Sequence, residues 1–464
     1  MSRRAGRLTP RDATGSSKTG CMTGENVKLE LEDIQAGVLR PRPVPYAATY
    51  ILLRIDNRDA GRELMRRASV AVASAAHANS PAGDAWVSAA LSFQGLKALG
   101  VPPDALDSFA WEFRQGMAAR AGALGDTGES SPANWERPLG TPDVHVVLTA
   151  LAPDGRRLEF ALERARKAYQ ELPGIAVIWR QDCYTLPTER EHFGFRDGIS
   201  HPAVDGSGIP GTNSKERPLK AGEFVLGYRD EMNSVPPMPQ PEVLGRNGTY
   251  IVFRKLYQRV AAFRQYLKAN ASRPQEQEWL AAKIMGRWRS GAPLALCPLH
   301  DDPPLGADPR RNNEFLYADD STGYKTPAGS HIRRTNPRDA AVPGIVRLHR
   351  MIRRGTAFGP PLPEGVLEDD GADRGLMFAF VGAHLGRQFE FVQSEWINSG
   401  AFIGVADAMD PISRTSGEAS RFSIPRRPIP KRLQGLPRFV VMRGGEYCFM
   451  PGRRALRWLA ELQR

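Results

Sequence analysis

Cysteine is scarce in this chain. Four occur in 464 residues, Cys21, Cys183, Cys297 and Cys448, and none forms a CxxC or CxxCH pair. Those spacings exclude a zinc ribbon, a redox dithiol and covalent attachment of a c-type haem. So few thiols in so long a chain fit a reducing cytosol. No run of about 18 apolar residues is present, so no transmembrane helix is expected. The N-terminus, MSRRAGRLTPRDATG, has an arginine pair but no apolar run behind it, which supports neither a secretory nor a twin-arginine signal. A Rossmann glycine fingerprint and a short-period repeat are also missing. Basic residues are in excess, with a net charge of +12, yet they are dispersed. Without a basic run interleaved with aromatics, a nucleic-acid-binding protein is disfavoured.

The composition that remains is that of a globular protein, 41% apolar and 25% charged. The length predicts two or more domains, or one two-lobed unit. Residues 1–28 are polar and read as a disordered tail. Strands are expected at Tyr46–Ile55, from Ala85 onward, at Val144–Ala150, Ile175–Trp179, Gly248–Leu256, Gly375–Phe380 and Phe389–Gln393. Helices are expected over Ala60–Ala76, Arg157–Leu172, Gln258–Leu267, Gln275–Trp288 and Arg453–Leu462. Phe439–Met450 reads as a hairpin turning at Gly444-Gly445. Residues 203–221 look like a crossover between halves, and Cys297–Pro327 is a long irregular segment of the kind that is functional or disordered. The alternation of strands and helices predicts an α+β architecture with antiparallel sheet.

Three stretches carry chemistry. In Gly194-Phe195-Arg196-Asp197-Gly198 a lone acid sits between glycines, which accept φ > 0 and let backbone approach a ligand closely. Alone, such a pair reads as an ordinary turn. Further on, Ser330–Asp339 (SHIRRTNPRD) offers His331 as a metal-ligand candidate, surrounded by Arg333, Arg334 and Arg338. Then comes Ile352–Gly359 (IRRGTAFG). In this order and spacing the three stretches resemble the dye-decolourising peroxidases, a family of haem enzymes. EDIQAGVLR, NGTYIVFRKL, LAAKIMGRW, QFEFVQ and RGGEYCFMP look like further blocks of that family, so the resemblance covers most of the chain.

The resemblance implies two ferredoxin-like halves with antiparallel sheets flanked by helices. The first, residues 29–215, carries the GxxDG motif; the second, 216–464, mainly holds one haem b per chain. It implies His331 as proximal iron ligand, with Arg334, and Arg333 beside it, reaching the propionates. Glu390, expected on a strand, would accept the N–H of the His331 ring and raise its basicity. Asp197 would be the distal acid and base, with Gly198 close to the ring, and Arg353 the cation that stabilises O–O cleavage. Here Ala357 stands where the family pattern has proline, and Arg354 remains a substitute for Arg353. Leu376, Phe378 and Phe380 alternate along one strand and would line the distal pocket. A carboxylate base, with a reference pKa of about 3.9, works in mildly acidic solution, so acid-favoured activity is expected.

The implied partners are hydrogen peroxide and small aromatic reductants, with no nucleic acid and no membrane, and with room for a homo-oligomer. The absence of an export signal and of an extension after the closing helix leads to an expected cytoplasmic location. Bulky donors would react at a surface aromatic, for which Trp179, Trp288, Trp396 and Tyr250 are candidates, although each reads equally as core. A haem-binding or iron-handling protein with little turnover is the alternative within the same fold. A site at Cys297, His300 and Asp301 has too few ligands at a known spacing.

Overall fold

The computed structural model describes residues 28–76, 85–402, 408–415 and 420–462. All but the last residue of the expected tail falls outside them. Eleven strands are formed among the described residues: β1 Ala47–Ile55, β2 Trp86–Leu91, β3 Val146–Ala152, β4 Ile175–Tyr184, β5 Thr249–Gln258, β6 Ile352–Arg353, β7 Thr356–Phe358, β8 Gly375–Gly382, β9 Ser420–Ile424, β10 Lys431–Leu436 and β11 Val440–Met450. Nine of them make one sheet in the order β4-β1-β3-β2-β11-β5-β8-β6, with β7 also on β8. The order β4-β1-β3-β2 is repeated by β11-β5-β8 and the β6/β7 edge, so each half has the ferredoxin-like plan. The halves meet where Phe449 of β11 pairs with Leu91 of β2. β4 also lies beside β7, so the ends of the sheet curl toward each other.

Local chemistry explains the elements. β1 (AATYILLRI) is buried on both faces because its alternate residues enter two cores, Ile51 and Leu53 one and Tyr50 and Leu52 the other. Helix Arg58–Ala71 starts where the Asn57 side chain accepts from Ala60 N, and helix Gly155–Tyr169 where Asp154 accepts from Arg157 N. These two helices and the closing helix Arg453–Ala460 form one layer over the sheet. Leu64, Met65, Leu148, Leu162, Leu456 and Phe449 fill the core between them. A second core, with Leu52, Phe224, Met377 and Val381, occupies the other face. Helices Val260–Asn270 and Pro274–Met285 pack over a third, around Phe263 and Phe439.

Two expectations are corrected. Phe439–Met450 is no hairpin: β11 runs unbroken along β5, and the glycines mark a bulge between Met442 and Gly444. Gly444 has φ 135°, and a side chain there would run into Leu139. Phe389–Gln393 is no strand either: Leu385–Glu390 and Val392–Ile397 are two wide helical turns. Leu385, Phe389, Val392 and Trp396 recur at helical spacing and are buried together, a period that the short alternating reading masked. Among the described residues no helix is long and apolar enough to cross a membrane.

Candidate active site

A cavity of about 240 Å³ lies between the sheet of the second half and the irregular and helical segments before and after its strands. The sheet contributes Leu256 from β5 and Leu376 and Phe378 from β8, adjacent because Leu256 pairs with Leu376. Phe380, expected beside them, is fully buried in the core and is not part of the cavity wall. Arg353, at the end of β6, lines the cavity and donates to Ser200 O at 3.4 Å. Arg354 turns the other way and donates to Leu39 O at 3.1 Å, so Arg353 is the member of the pair that faces the cavity.

The loop from Glu191 to Ser200 supplies Asp197 and Gly198 to the same cavity. Gly194 (φ 89°) and Gly198 (φ 77°) both need the left-handed region that glycine tolerates. Any carbon added at Gly198 would come within 3.0 Å of Arg42 Nη2. A carbon added at Gly355, two residues after Arg353, would stand 3.7 Å from Asp197 Oδ2. The GxxDG loop and the IRRG strand end therefore meet.

His331 opens the short helix His331–Thr335 and also lines the cavity. Its Nδ1 is 2.9 Å from Asp410 Oδ2, so the N–H donates to that carboxylate and Nε2 is left as the other ring nitrogen. Asp410 is fully buried and its Oδ1 accepts from Ile412 N and Ser413 N, both at 2.8 Å. Burial works to raise this carboxyl, but His331, Arg334 and the Ser413 N–H outweigh it and hold it down at about 2.

Glu390 is thus not the partner of His331. It forms a bidentate pair with Arg120 (2.9 and 2.5 Å) and accepts from Tyr447 Oη at 2.8 Å. Because residue 390 lies on a helical turn and not a strand, its carboxylate points to the segment around Arg120. Arg334 and Arg333 are also corrected, since neither lines the cavity. Arg334 is fully buried and its three donors go to Trp396 O (2.6 Å), Ala408 O (2.8 Å) and Ser399 O (2.7 Å). Arg333 is bound to Asp320 and to Thr326 O. Carbonyls at the ends of irregular segments need donors when buried, and these guanidiniums supply them.

Among the arginines that do line the cavity, Arg287, Arg338 and Arg350 stand together. Glu216 bridges Arg338 (3.3 Å) and Arg350 (2.5 Å), and Asn313 Oδ1 bridges Arg287 and Arg338. Burial, and then the neighbouring Arg338, lower Arg287 to about 9. Three guanidiniums against one carboxylate leave two positive charges uncompensated in this group. Arg254, on β5, adds a buried cavity-wall donor, Nη1, that has no hydrogen-bond partner. Of the surface-aromatic candidates, Trp288, Trp396 and Tyr250 are buried, and Trp179 is half-buried with its N–H on Glu136. No group of three or more His, Cys, Asp and Glu able to hold a metal ion exists among the described residues, and Cys297 Sγ instead donates to Pro293 O.

No protein-family model matches the chain. The dye-decolorizing peroxidase msp1 of Mycetinis scorodonius is 31% identical over 406 residues, which cover 80% of this chain and 75% of that protein. A dye-decolorizing peroxidase of Exidia glandulosa is 33% identical over 391 residues, 79% of this chain and 74% of its own. The chain belongs to the dye-decolourising peroxidase family. It is a peroxidase, and its fold is the family's: the solved structure of a dye-decolorizing peroxidase complexed with 2,6-dimethoxyphenol superposes with a TM-score of 0.82 at 27% identity, over 93% of this chain and 100% of that one. Within this peroxidase the sequence motifs led to His331, Asp197, Gly198, Arg353, Leu376 and Phe378, all on one cavity. They missed Asp410 and Arg350, which sit in no motif, and Arg287, which stood in the LAAKIMGRW block with no role assigned, while Arg338 was already counted among the arginines around His331 that suit propionates.

Proposed function

We propose that the chain is a haem-dependent peroxidase that reduces hydrogen peroxide and oxidises dyes, phenols and other one-electron donors. The observation that carries this reading is the convergence on one cavity of a carboxylate-backed imidazole, His331, with the Asp197 and Arg353 pair. The donor set fits haem b: apolar walls for a flat ring, one imidazole nitrogen for iron, and a doubly positive group for two propionates, with Arg287, Arg338 and Arg350 as their partners. When bound, haem supplies the redox chemistry of its iron, which no side chain here can provide. Asp197 takes the proton of the entering peroxide and returns it to the departing oxygen, which leaves as water. Arg353 stands against the negative charge that grows as the O–O bond breaks. Leu376 and Phe378 keep bulk water from that region. Asp410 keeps the Nδ1 proton of His331 in place and makes Nε2 a stronger donor. Phenols and dyes are the proposed reductants because the structurally similar relative is complexed with a dimethoxyphenol.

The test is the visible spectrum of the purified, haem-supplied protein before and after one equivalent of hydrogen peroxide. A Soret band that shifts on peroxide is expected; a protein that stays colourless after haem is supplied rejects the reading. A second measurement separates Asp410 from Glu390. Asp410→Asn is expected to weaken haem retention about 10–100-fold in competition with apomyoglobin, the usual cost of losing such a partner. Glu390→Gln is expected to leave it unchanged.

A further inference from the structure

The loop that carries Asp197 is gripped by an acid with no part in the reaction above. Glu191 lines the cavity, and its carboxylate accepts from Phe193 N at 3.0 Å, from Phe195 N at 2.9 Å and from Gln258 Nε2 at 2.7 Å. Its backbone closes the same turn, donating to Phe195 O at 2.9 Å and accepting from Gly194 N at 2.7 Å. The positive φ of Gly194 lets the chain reverse inside these bonds. Outside, Arg289 donates to Phe193 O and lies 5.0 Å over the Phe195 ring. Phe193 and Phe195 are themselves buried against Phe263. One carboxylate therefore ties the turn to itself and to β5, and Asp197 follows two residues after the second tied amide.

A turn of this shape does not require a charge. Asn or Ser could cap two amides with a smaller desolvation cost. The third bond shows what the carboxylate adds. Gln258 turns its NH2 to Glu191 and leaves its own Oε1 buried without a partner. The amide is oriented for an acceptor-only group, at the cost of one unmade bond. β5 is the strand that bears the Leu256 wall and pairs with the Leu376 strand. The bond from Gln258 thus fixes the height of the Asp197 loop over that wall. Burial pushes the Glu191 carboxyl up and the three donors pull it back, while Asp197 adds to the rise, so the two acids share one electrostatic environment.

We propose that Glu191 is the positioning residue for Asp197, fastening its loop to β5 so that the Asp197 carboxylate keeps one placement beside Gly355 and Arg353. This rests on the reading of Asp197 as proton acceptor, and the experiment separates the two. Hydrogen cyanide must give up its proton to bind ferric haem as the anion, so its affinity reports where a proton acceptor stands without any turnover. In the haem-loaded enzyme, Asp197→Asn sets the scale of the loss. Glu191→Gln, which turns an NH2 against one of the three donors, is expected to weaken cyanide about tenfold, as a misplaced group does. The KM for a small phenol should not move, and hydrogen exchange at Phe193 N and Phe195 N should accelerate. Gln258→Leu keeps both loop bonds and frees only the strand; it is expected to shift cyanide affinity the same way by less, and it decides the matter if Glu191→Gln does not fold. Folded variants with wild-type exchange at both amides and wild-type cyanide affinity, beside a weakened Asp197→Asn, overturn the role of Glu191. A wild-type cyanide affinity in Asp197→Asn overturns the reading of Asp197 instead.

Discussion

His331→Ala is expected to remove the Soret band, or to replace it by that of loosely held haem, while the protein stays folded. The side chain is 18% exposed, on the cavity, so its loss costs little packing. What disappears is the one imidazole among the cavity-lining residues. Its partner would then be a stranded acid: Asp410 is fully buried and its low pKa depends on the His331 ring, after burial itself works against ionisation. Losing the ring raises the Asp410 pKa, so part of the stability that the pair provides above the unfolded carboxylate pKa, and that fades as pH falls through the folded value, is lost near neutrality. The thermal midpoint should fall modestly at pH 7 and differ less from wild type in acid. His349 is no substitute ligand: its ring is stacked on Phe391 at 3.9 Å and its Nδ1 donates to Arg387 O. An ordinary Soret band in the variant, with no added imidazole, contradicts the assignment.

Asp197→Asn gives the other large effect. The amide keeps the shape of the loop, since the bonds that hold it belong to Glu191 and Arg289 and not to residue 197. Haem content and the resting spectrum should therefore match wild type. Reaction with peroxide in stopped flow is expected to slow about 10²–10⁴-fold, the range for removal of a general acid–base group. The contrast matters, because His331→Ala loses colour and rate together, whereas Asp197→Asn loses rate alone. A peroxide reaction at wild-type speed would move the proton-accepting role off Asp197.

The motif residues were legible because each lies in a short, distinctive string: GFRDG, SHIRR, IRRG. Their grouping was legible only through resemblance, since nothing in the chain says that residue 197 and residue 355 touch. Asp410 was illegible for a plain reason. It pairs with a histidine 79 residues away, and its own surroundings, DAMDPIS, look like any loop acid. Arg334 was legible as a basic residue beside His331, but its direction was not: the carbonyls at positions 396, 399 and 408 claim it, and their need for donors exists only after folding. Gly444-Gly445 illustrates the same limit within a strand. Two glycines permit a reversal or a bulge, and continuous pairing of β11 with β5 selects the bulge.

The clasp made by Arg334 has a mechanical meaning. Arg334 stands on the same helical turn as His331 and binds Ala408 O, two residues before Asp410. The helix that presents the imidazole thus tows the segment that presents its carboxylate. A displacement of His331–Thr335 relative to the sheet would carry both groups along, leaving the 2.9 Å link between them nearly unstrained. One arginine thereby couples the placement of the ring to the placement of the acid that holds it.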